Sequence, residues 1–209
     1  ITGASSGIGR EMARQLATTA KALVIVARRR DRLEDLRDEL LAAPPELEVL
    51  VQARDLADLG AIDEMLEEVG EQVGPVDVLV NNAGFGDIEL FETSSESKLL
   101  QMIAVNVTAL TVLSRRLIGP MLAAGRGGIL NISSGFGLTF LPAVATYAGT
   151  KHYVTGLTEC LRLEAVGTGV VVSQVCPGPV ATEFEEVAGN PTGRSVPGLL
   201  ELSAARCAE

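Results

Sequence analysis

A tyrosine and a lysine four residues apart are the side chains in this sequence of 209 residues with the clearest chemical potential. On a helix, Tyr147 and Lys151 would lie one above the other on the same face. A phenol has a pKa of about 10, and an ammonium about 4 Å away contributes roughly 4 kcal/mol at an effective dielectric constant of about 20. The pair therefore predicts a phenol tuned for proton transfer. Solvated pairs with this spacing are common, so the prediction needs support from other motifs.

A glycine-rich segment at the beginning of the chain is suited to binding a phosphate group. Residues 2–9 read Thr-Gly-Ala-Ser-Ser-Gly-Ile-Gly. Glycines let the backbone approach a pyrophosphate, and free amide groups at a helix start bind the anion. The spacing differs from Gly-x-Gly-x-x-Gly, so a glycine-rich turn without a ligand is the alternative. The candidate coenzyme contacts are Gly3, Ser5, Ser6, Gly7, Ile8 and Gly9.

Arginines follow the first apolar run at a position that discriminates between dinucleotides. Ala27 is followed by Arg28 and Arg29. An acidic residue here would bind the 2′-hydroxyl of the adenosine ribose, whereas arginine binds a 2′-phosphate. A charge-assisted hydrogen bond is worth roughly 1.5–3 kcal/mol, or about 10- to 150-fold in affinity. We therefore predict a preference for NADP(H) over NAD(H). The alternative is a solvated arginine run, to which Arg30 and Arg32 are expected to belong.

Short apolar runs alternate with amphipathic segments along the chain. The apolar runs cover residues 23–26, 49–51, 76–80, 129–132 and 170–175, and the amphipathic segments cover 8–19, 31–41, 59–73, 95–124 and 145–166. The apolar runs are mostly not alternating, which is typical of strands buried on both faces of a parallel sheet. We predict an α/β, doubly wound (Rossmann-type) fold, with a mostly parallel sheet flanked by helices on both faces.

The predicted fold is apparently clipped at both ends. Residues 1–3 lie at a turn that should follow a first strand of about five residues. No strand pattern is visible after residues 170–175. We predict that residues 1–209 form a single dinucleotide-binding and catalytic domain, with a substrate-loop region from about residue 183 onward.

Composition excludes several classes of partner. The net charge of −10 disfavours nucleic acid and anionic membranes. No apolar run approaches the roughly 20 residues that span a bilayer, and no signal-peptide pattern is present, so we expect a cytoplasmic protein. Cys160, Cys176 and Cys207 are odd in number and lack CxxC spacing, which argues against disulfides and a metal site. Buried free thiols are expected.

Further candidate contacts follow three other apolar runs, at the sheet edge where open α/β folds bind ligands. An ordinary turn is the alternative for each of these segments. Asn106 lies in an otherwise apolar helical stretch, where an asparagine predicts a kink, a water site or a surface position. The candidate coenzyme contacts at the sheet edge are Asp55, Leu56, Asn82, Ala83, Gly84, Pro177, Gly178, Val180 and Thr182.

Together and in this order, the motifs resemble the short-chain dehydrogenase/reductase family over residues 1 to about 184. Residues 2–9 are similar to the family's cofactor loop, residues 81–84 to its sheet-stabilising turn, and residues 177–182 to its nicotinamide-side loop. The family's last strand and much of its substrate lid are not recognisable after Glu185.

The resemblance implies four catalytic residues. Tyr147 and Lys151 match the catalytic pair, and the serine thirteen residues before the tyrosine is Ser134 rather than Ser133. Asn106 matches the fourth member. By resemblance, Tyr147 would act as general acid or base on a carbonyl or alcohol oxygen and Ser134 would hydrogen-bond the same oxygen. Lys151 would hold the ribose hydroxyls and keep the phenol acidic, while Asn106 would anchor a relay water.

The function implied by the resemblance is an NADP(H)-dependent oxidoreductase that interconverts a carbonyl and an alcohol. Arg28 lies where similar NADPH-preferring members carry an arginine. One alternative is a catalytically silent cofactor-sensing protein, against which the complete catalytic set argues. Another is a sugar-nucleotide epimerase or dehydratase, against which the glycine spacing and the lack of a separate substrate domain argue.

For the substrate and the oligomeric state, the sequence predicts only a chemical class and a choice between two assemblies. An apolar pocket predicts a hydrophobic ketone, aldehyde or secondary alcohol, although several of its residues could simply be core. The family also implies a homodimer or homotetramer formed by the helices around Asn106 and Tyr147, where the small residues Ala148, Gly149 and Gly156 would allow close approach. The predicted pocket residues are Phe136, Leu138, Val144, Phe184 and Val187.

Overall fold

Five parallel strands form the centre of the fold in the computed structural model, which describes residues 1–42, 46–189 and 201–209. The strand β1 pairs with β2, and β4 lies between β3 and β5. Each strand coincides with a predicted apolar run, so the predicted mostly parallel sheet is confirmed. The strands are β1 (Ala22–Ala27), β2 (Glu48–Ala53), β3 (Val78–Asn81), β4 (Gly127–Ile132) and β5 (Val170–Val175).

The first residues of the chain join the two groups of strands. Thr2 donates from its backbone nitrogen to the carbonyl of Val80 at 3.0 Å, and Val26 donates to the carbonyl of Ile1 at 2.9 Å. The spatial order is therefore β2, β1, the N-terminal segment, β3, β4 and β5. In a doubly wound sheet, ligands bind where the strand order reverses, outside the carboxyl ends of the strands. This arrangement brings the glycine-rich turn that begins at Gly3 to that position.

Helices cover both faces of the sheet, as predicted. Adjacent residues of a strand point to opposite faces, and Ile25 and Val26 in β1 are both buried, in different core clusters. A π-helical turn, Ala104–Ala109, separates α4 from α5. The helices of the two layers are α1 (Gly7–Leu16), α2 (Arg30–Leu41), α3 (Leu59–Gln72), α4 (Glu96–Ile103), α5 (Leu110–Ala124) and α6 (Ala145–Glu164).

The continuous helix Glu96–Ala124 is long and apolar enough to cross a membrane by length and composition. The expectation that no apolar run approaches this length is therefore wrong. Packing within the chain accounts for part of the composition, because Met102, Ala109 and Leu113 are buried. In all, 33% of the apolar window is buried inside the protein.

Short elements follow β5, contrary to the expectation that no further strand occurs. Strand β6 (Val180–Ala181) pairs in parallel with β7 (Leu202–Ser203). Two residues are too few to produce a visible pattern of hydrophobicity. Helix α7 (Phe184–Ala188) lies in the predicted substrate-loop region, and α8 (Ala204–Ala208) follows β7. Residues 190–200 of that region lie outside the described residues.

The free thiols are not buried, so this expectation is wrong. Cys160 is exposed, and Cys176 and Cys207 are partly buried. Cys160 lies on the outer face of α6, two residues after the fully buried Thr158.

A buried row of polar side chains links the central strands to the helices on either side. Asn81 and Asn131 are register partners in β3 and β4, and the Asn81 amide donates to Asn131 Oδ1 at 2.9 Å. It also donates to Ser114 Oγ on α5 at 3.1 Å, while Asn131 donates to Thr158 Oγ1 on α6 at 2.9 Å. Buried polar groups of this kind are costly unless paired. The row therefore fixes α5 and α6 relative to the sheet edge that bears the site.

Candidate active site

A cleft of about 690 Å³ opens at the carboxyl ends of the strands. Loops that follow β1 to β5 all contribute to its walls, together with the glycine-rich turn and α7. All the predicted coenzyme contacts except Gly9 line this cleft, and so do Ser134, Tyr147 and Lys151. Asn106 does not. The predicted site residues are thus brought together, with these two exceptions.

The glycine-rich turn is packed against the loop after β3. Asn82 donates through its amide to the carbonyls of Thr2 and Gly3, at 2.9 and 3.2 Å. A Cβ on Gly3 would lie 2.7 Å from that amide nitrogen, and a Cβ on Gly9 would lie 2.6 Å from the carbonyl oxygen of Gly3. Gly7 has φ of +56°, which favours glycine. Gly9 therefore packs within the turn and makes no part of the cleft wall, contrary to the prediction.

Tyr147 and Lys151 lie one turn apart on α6, and both are buried, with 6% of the surface of each residue exposed. Lys151 Nζ is 5.8 Å from the centroid of the Tyr147 ring. It donates to the carbonyl oxygen of Ile132 at the end of β4, at 2.8 Å. The predicted sharing of one helix face is therefore confirmed.

The pKa values of this pair differ from the expectation. Burial raises the pKa of Tyr147 above 10, and a hydrogen bond with Ser134 opposes this shift only in part. Burial also lowers the pKa of Lys151 to about 8. The prediction that Lys151 lowers the pKa of the phenol is wrong for this structure, because desolvation dominates and the ammonium is bound to a backbone carbonyl.

Two consecutive serines after β4 point in different directions. Ser133 donates to the carbonyl of Lys151 at 3.1 Å and contacts Thr155 Oγ1 at 2.9 Å, so its side chain fixes α6 against the strand. Ser134 accepts a hydrogen bond from Phe136 N at 3.2 Å and reaches Tyr147. The geometry supports Ser134 as the candidate catalytic serine and gives Ser133 a structural part that the sequence did not reveal.

Asn106 is buried in the π-helical turn, which excludes the surface position left open by the sequence. Its amide donates to the carbonyl of Phe85 at 2.9 Å and to Thr150 Oγ1 at 3.1 Å, and its oxygen accepts from Phe85 N at 3.2 Å. The side chain therefore ties the loop after β3 to α6. This is a positioning arrangement, and it accounts for the conformational irregularity that the sequence predicted here.

The basic end of the cleft contains Arg28 and Arg29. Arg29 donates to Ser5 Oγ at 3.1 Å, to Ser6 Oγ at 3.0 Å and to Glu183 Oε2 at 2.9 Å. Among the residues that the structure describes, Arg28 makes no ion pair or side-chain hydrogen bond. Arg32 was expected to be solvated, but it also pairs with Glu183.

Aromatic side chains flank the phenol at the other end. The ring centroid of Tyr147 is 5.9 Å from that of Phe136 and 5.3 Å from that of Phe184. Of the predicted pocket residues, Phe136, Phe184 and Val187 line the cleft. Leu138 is 65% exposed and Val144 is only 4% exposed, and neither lines it, so the prediction is wrong for these two.

The family model described as short chain dehydrogenase matches residues 1–191. The chain belongs to the short-chain dehydrogenase family. The predicted resemblance is thus confirmed.

Curated relatives of this chain include a human protein and a bacterial enzyme. It is 33% identical over 189 residues to human dehydrogenase/reductase SDR family member 7, covering 89% of this chain and 56% of the human protein. It is 35% identical over 187 residues to D-beta-hydroxybutyrate dehydrogenase of Rhizobium meliloti (strain 1021), covering 89% of this chain and 72% of that enzyme. The chain therefore spans little more than half of the human relative.

A solved structure resembles this short-chain dehydrogenase over its whole length. The short-chain dehydrogenase from Sphingobium yanoikuyae in complex with NADPH has a TM-score of 0.90 and 29% identity, covering 100% of this chain and 80% of that one. This likeness agrees with the doubly wound fold described above.

The sequence analysis did not predict several residues that line this site. Phe85, Ile88 and Thr139 line the cleft, and Glu183 reaches its basic end. Phe85 and Ile88 follow the predicted loop after β3, which is the one signal that could have found them. In the described part of the chain, no group of three or more His, Cys, Asp or Glu side chains is placed to hold a metal ion.

Proposed function

We propose that this protein is an NADP(H)-dependent oxidoreductase that interconverts a carbonyl and an alcohol, with Tyr147 as general acid and base. One observation carries the proposal: Tyr147, Ser134 and Lys151 meet in a single cleft that continues to the glycine-rich turn. A group that transfers a proton and a loop suited to phosphate are thus placed at the same sheet edge.

The chain's residues fit a nicotinamide dinucleotide. Gly3 and Gly7 have positive φ and carry no side chain, so the backbone of the turn at these two positions can approach a pyrophosphate. Residues after β2, β3 and β5 would bind the remainder of the coenzyme. When bound, the nicotinamide supplies or accepts the hydride. Two solved relatives support this choice: the enzyme from Sphingobium yanoikuyae is in complex with NADPH, and the one from Thermococcus sibiricus is complexed with 5-hydroxy-NADP.

The protein's own contribution is orientation and a proton. Because burial raises the pKa of Tyr147, the phenol is protonated at neutral pH and can donate its proton to a carbonyl oxygen. Ser134, which reaches the phenol, would donate a hydrogen bond to the same oxygen. Lys151 would keep positive charge near the phenol and bind ribose hydroxyls, while Asn106 keeps α6 against the loop after β3. Alcohol oxidation would require the phenol to ionise first.

An apolar carbonyl substrate suits the walls around the phenol. Phe136 and Phe184 contact the Tyr147 ring, and Val187 lies on the same side of the cleft. These side chains offer apolar surface and few hydrogen-bond partners, so hydrophobic ketones, aldehydes or secondary alcohols are the proposed class.

NADPH consumption with a panel of carbonyl compounds distinguishes the oxidoreductase from the two alternative functions. A cofactor sensor would bind NADPH without consuming it, and an epimerase would cause no net consumption.

Replacing Arg28 tests the coenzyme preference. We expect Arg28→Ala to raise the KM for NADPH by about 10- to 150-fold and to leave the KM for NADH nearly unchanged, because only NADPH carries the 2′-phosphate. Steady-state kinetics with both coenzymes measure the effect, with Arg30→Ala on the exposed side of α2 as the matched control. Equal effects of Arg28→Ala on both coenzymes would defeat the assignment.

We also propose a homodimer or homotetramer. Gly149 and Gly156 lie on the exposed face of α6 with open space at their Cα atoms, which permits close approach of another helix. Ala148, in contrast, is buried within its own chain and cannot contribute. Light scattering should give two or four times the mass of one chain, and a mass of one chain would contradict the proposal. The cytoplasmic location stays a prediction.

A further inference from the structure

A group of ion pairs lies at the basic end of the cleft and involves Glu183, which the proposed reaction does not use. Glu183 accepts a hydrogen bond from Arg29 through Oε2 at 2.9 Å and pairs with Arg32 through Oε1. Arg32 and then Arg29 hold the pKa of Glu183 below its usual range, so it is a carboxylate at neutral pH. Exposed ion pairs contribute little to stability. These ion pairs therefore add little to the stability of the fold.

Arg29, one of the two arginines that bind Glu183, also contacts the glycine-rich turn. The Arg29 guanidinium donates to the hydroxyls of Ser5 and Ser6, and Ser5 is buried. Two arginines thus bind one carboxylate, and one of them is itself held by two hydroxyls of the glycine-rich turn. We call the side chains of Ser5, Ser6, Arg29 and Arg32 the anion cradle. Guanidinium groups bind carboxylate and phosphate oxygens with the same geometry, so a phosphate can take the place of the carboxylate.

We propose that Glu183 is an internal competitor of the coenzyme's ribose 2′-phosphate for the anion cradle. The inference rests on the proposed use of NADP(H). The adjacent Arg28 lines the same end of the cleft and stays available to the phosphate in either state. The affinity for NADP(H) is then reduced by the work of displacing Glu183, whereas a coenzyme without the 2′-phosphate leaves Glu183 in the cradle.

Displacement of Glu183 by the phosphate would also affect the surroundings of the Tyr147 phenol. Glu183 immediately precedes Phe184, whose ring centroid is 5.3 Å from that of Tyr147. The far end of α7 is held by a hydrogen bond from Ile88 N to the carbonyl of Ala188 at 2.9 Å. Release of Glu183 therefore frees only the beginning of α7. Coenzyme identity is in this way coupled to the wall that the substrate meets.

The direct test is the binding of two nucleotides that differ in the phosphate, adenosine 2′,5′-bisphosphate and AMP, measured by calorimetry. Glu183→Gln keeps the shape of the side chain and removes its charge. We expect it to tighten binding of the bisphosphate by about 2- to 30-fold, the range set by two exposed charge pairs, and to leave AMP unchanged. Thermal unfolding confirms that the variant is folded.

Glu185→Gln is the matched control. Glu185 also lines the cleft, and in the described ranges its carboxylate has no partner. It changes the net charge equally, so an equal gain from both variants would overturn the proposal by showing a general charge effect.

The outcomes separate this inference from the proposed function. If the wild type prefers the bisphosphate and Glu183→Gln changes nothing, competition by Glu183 is wrong and the coenzyme preference stands. If the wild type shows no preference but Glu183→Gln gains one, competition stands and the natural preference is wrong. If neither protein distinguishes the two nucleotides, both are wrong.

A fluorescence reporter tests the coupling. The chain has no tryptophan, so Val187→Trp places a single reporter on α7, at a position that is half exposed. We expect the bisphosphate to change its emission and AMP to leave it unchanged. Identical responses to the two nucleotides would overturn the coupling.

Discussion

Replacing Tyr147 with phenylalanine is expected to slow carbonyl reduction by roughly 100- to 10,000-fold, the usual contribution of a positioned acid. The substitution removes the hydroxyl that donates the proton and keeps the ring that packs against Phe136 and Phe184. Affinity for NADPH should therefore stay within about 3-fold of wild type, a shift of well under 1 kcal/mol. The measurements are kcat with a saturating ketone and the Kd for NADPH by fluorescence titration.

The sequence contains one other tyrosine, which provides the control. Tyr153 lies on the same helix, is partly exposed and contacts Thr111 Oγ1 at 2.8 Å, away from the cleft. Tyr153→Phe should retain wild-type turnover. If Tyr147→Phe turns over at a rate near that of Tyr153→Phe, the assignment of Tyr147 as the acid is wrong.

Replacing Lys151 with methionine is expected to lower kcat by about 100-fold and to change the pH dependence of the reaction. Lys151 is charged below its pKa of about 8 and neutral above it. If its charge assists the proton transfer, wild-type reduction should decline as the pH rises through about 8. Burial raises the pKa of Tyr147 above that of a free phenol, so ionisation of the phenol does not produce this decline.

The pH profile of kcat distinguishes a chemical effect of Lys151 from a structural one. In Lys151→Met the decline in kcat near pH 8, here called the limb, should disappear, because the titrating group is gone. The exposed Lys21→Met serves as a control and should keep the limb. An unchanged limb in Lys151→Met would show that another group titrates.

The fold was predictable because its signals are local. Apolar runs such as that of β1 are continuous, since Ile25 and Val26 face two different helical layers and both are buried. Glycines and polar residues at the ends of these runs then had to meet at one sheet edge, because parallel strands share it. Tyr147 and Lys151 were predicted to share one helix face from a second local signal, their spacing of four residues.

What the sequence did not predict depends on contacts between distant segments. Nothing near Arg32 indicates that Glu183 will be its partner. The direction of the pKa shift of Tyr147 depends on burial, which the spacing to Lys151 does not encode. Likewise, Leu138 and Val144 have the apolar character of pocket residues, but the turn after Ser134 directs one outward and the other into the core.

The central proposal is that the coenzyme gives a hydride to a carbonyl carbon while Tyr147 gives a proton to its oxygen, and isotope transfer tests it most directly. NADPH carrying deuterium at C4 of the nicotinamide, prepared as each of its two stereoisomers, is incubated with the enzyme and a hydrophobic ketone, and the products are examined by mass spectrometry. We expect one stereoisomer to deliver deuterium to the carbinol carbon of the alcohol, and Tyr147→Phe to slow this transfer by roughly 100- to 10,000-fold. Deuterium retained in the coenzyme with both stereoisomers, across the whole carbonyl panel, would contradict an oxidoreductase function.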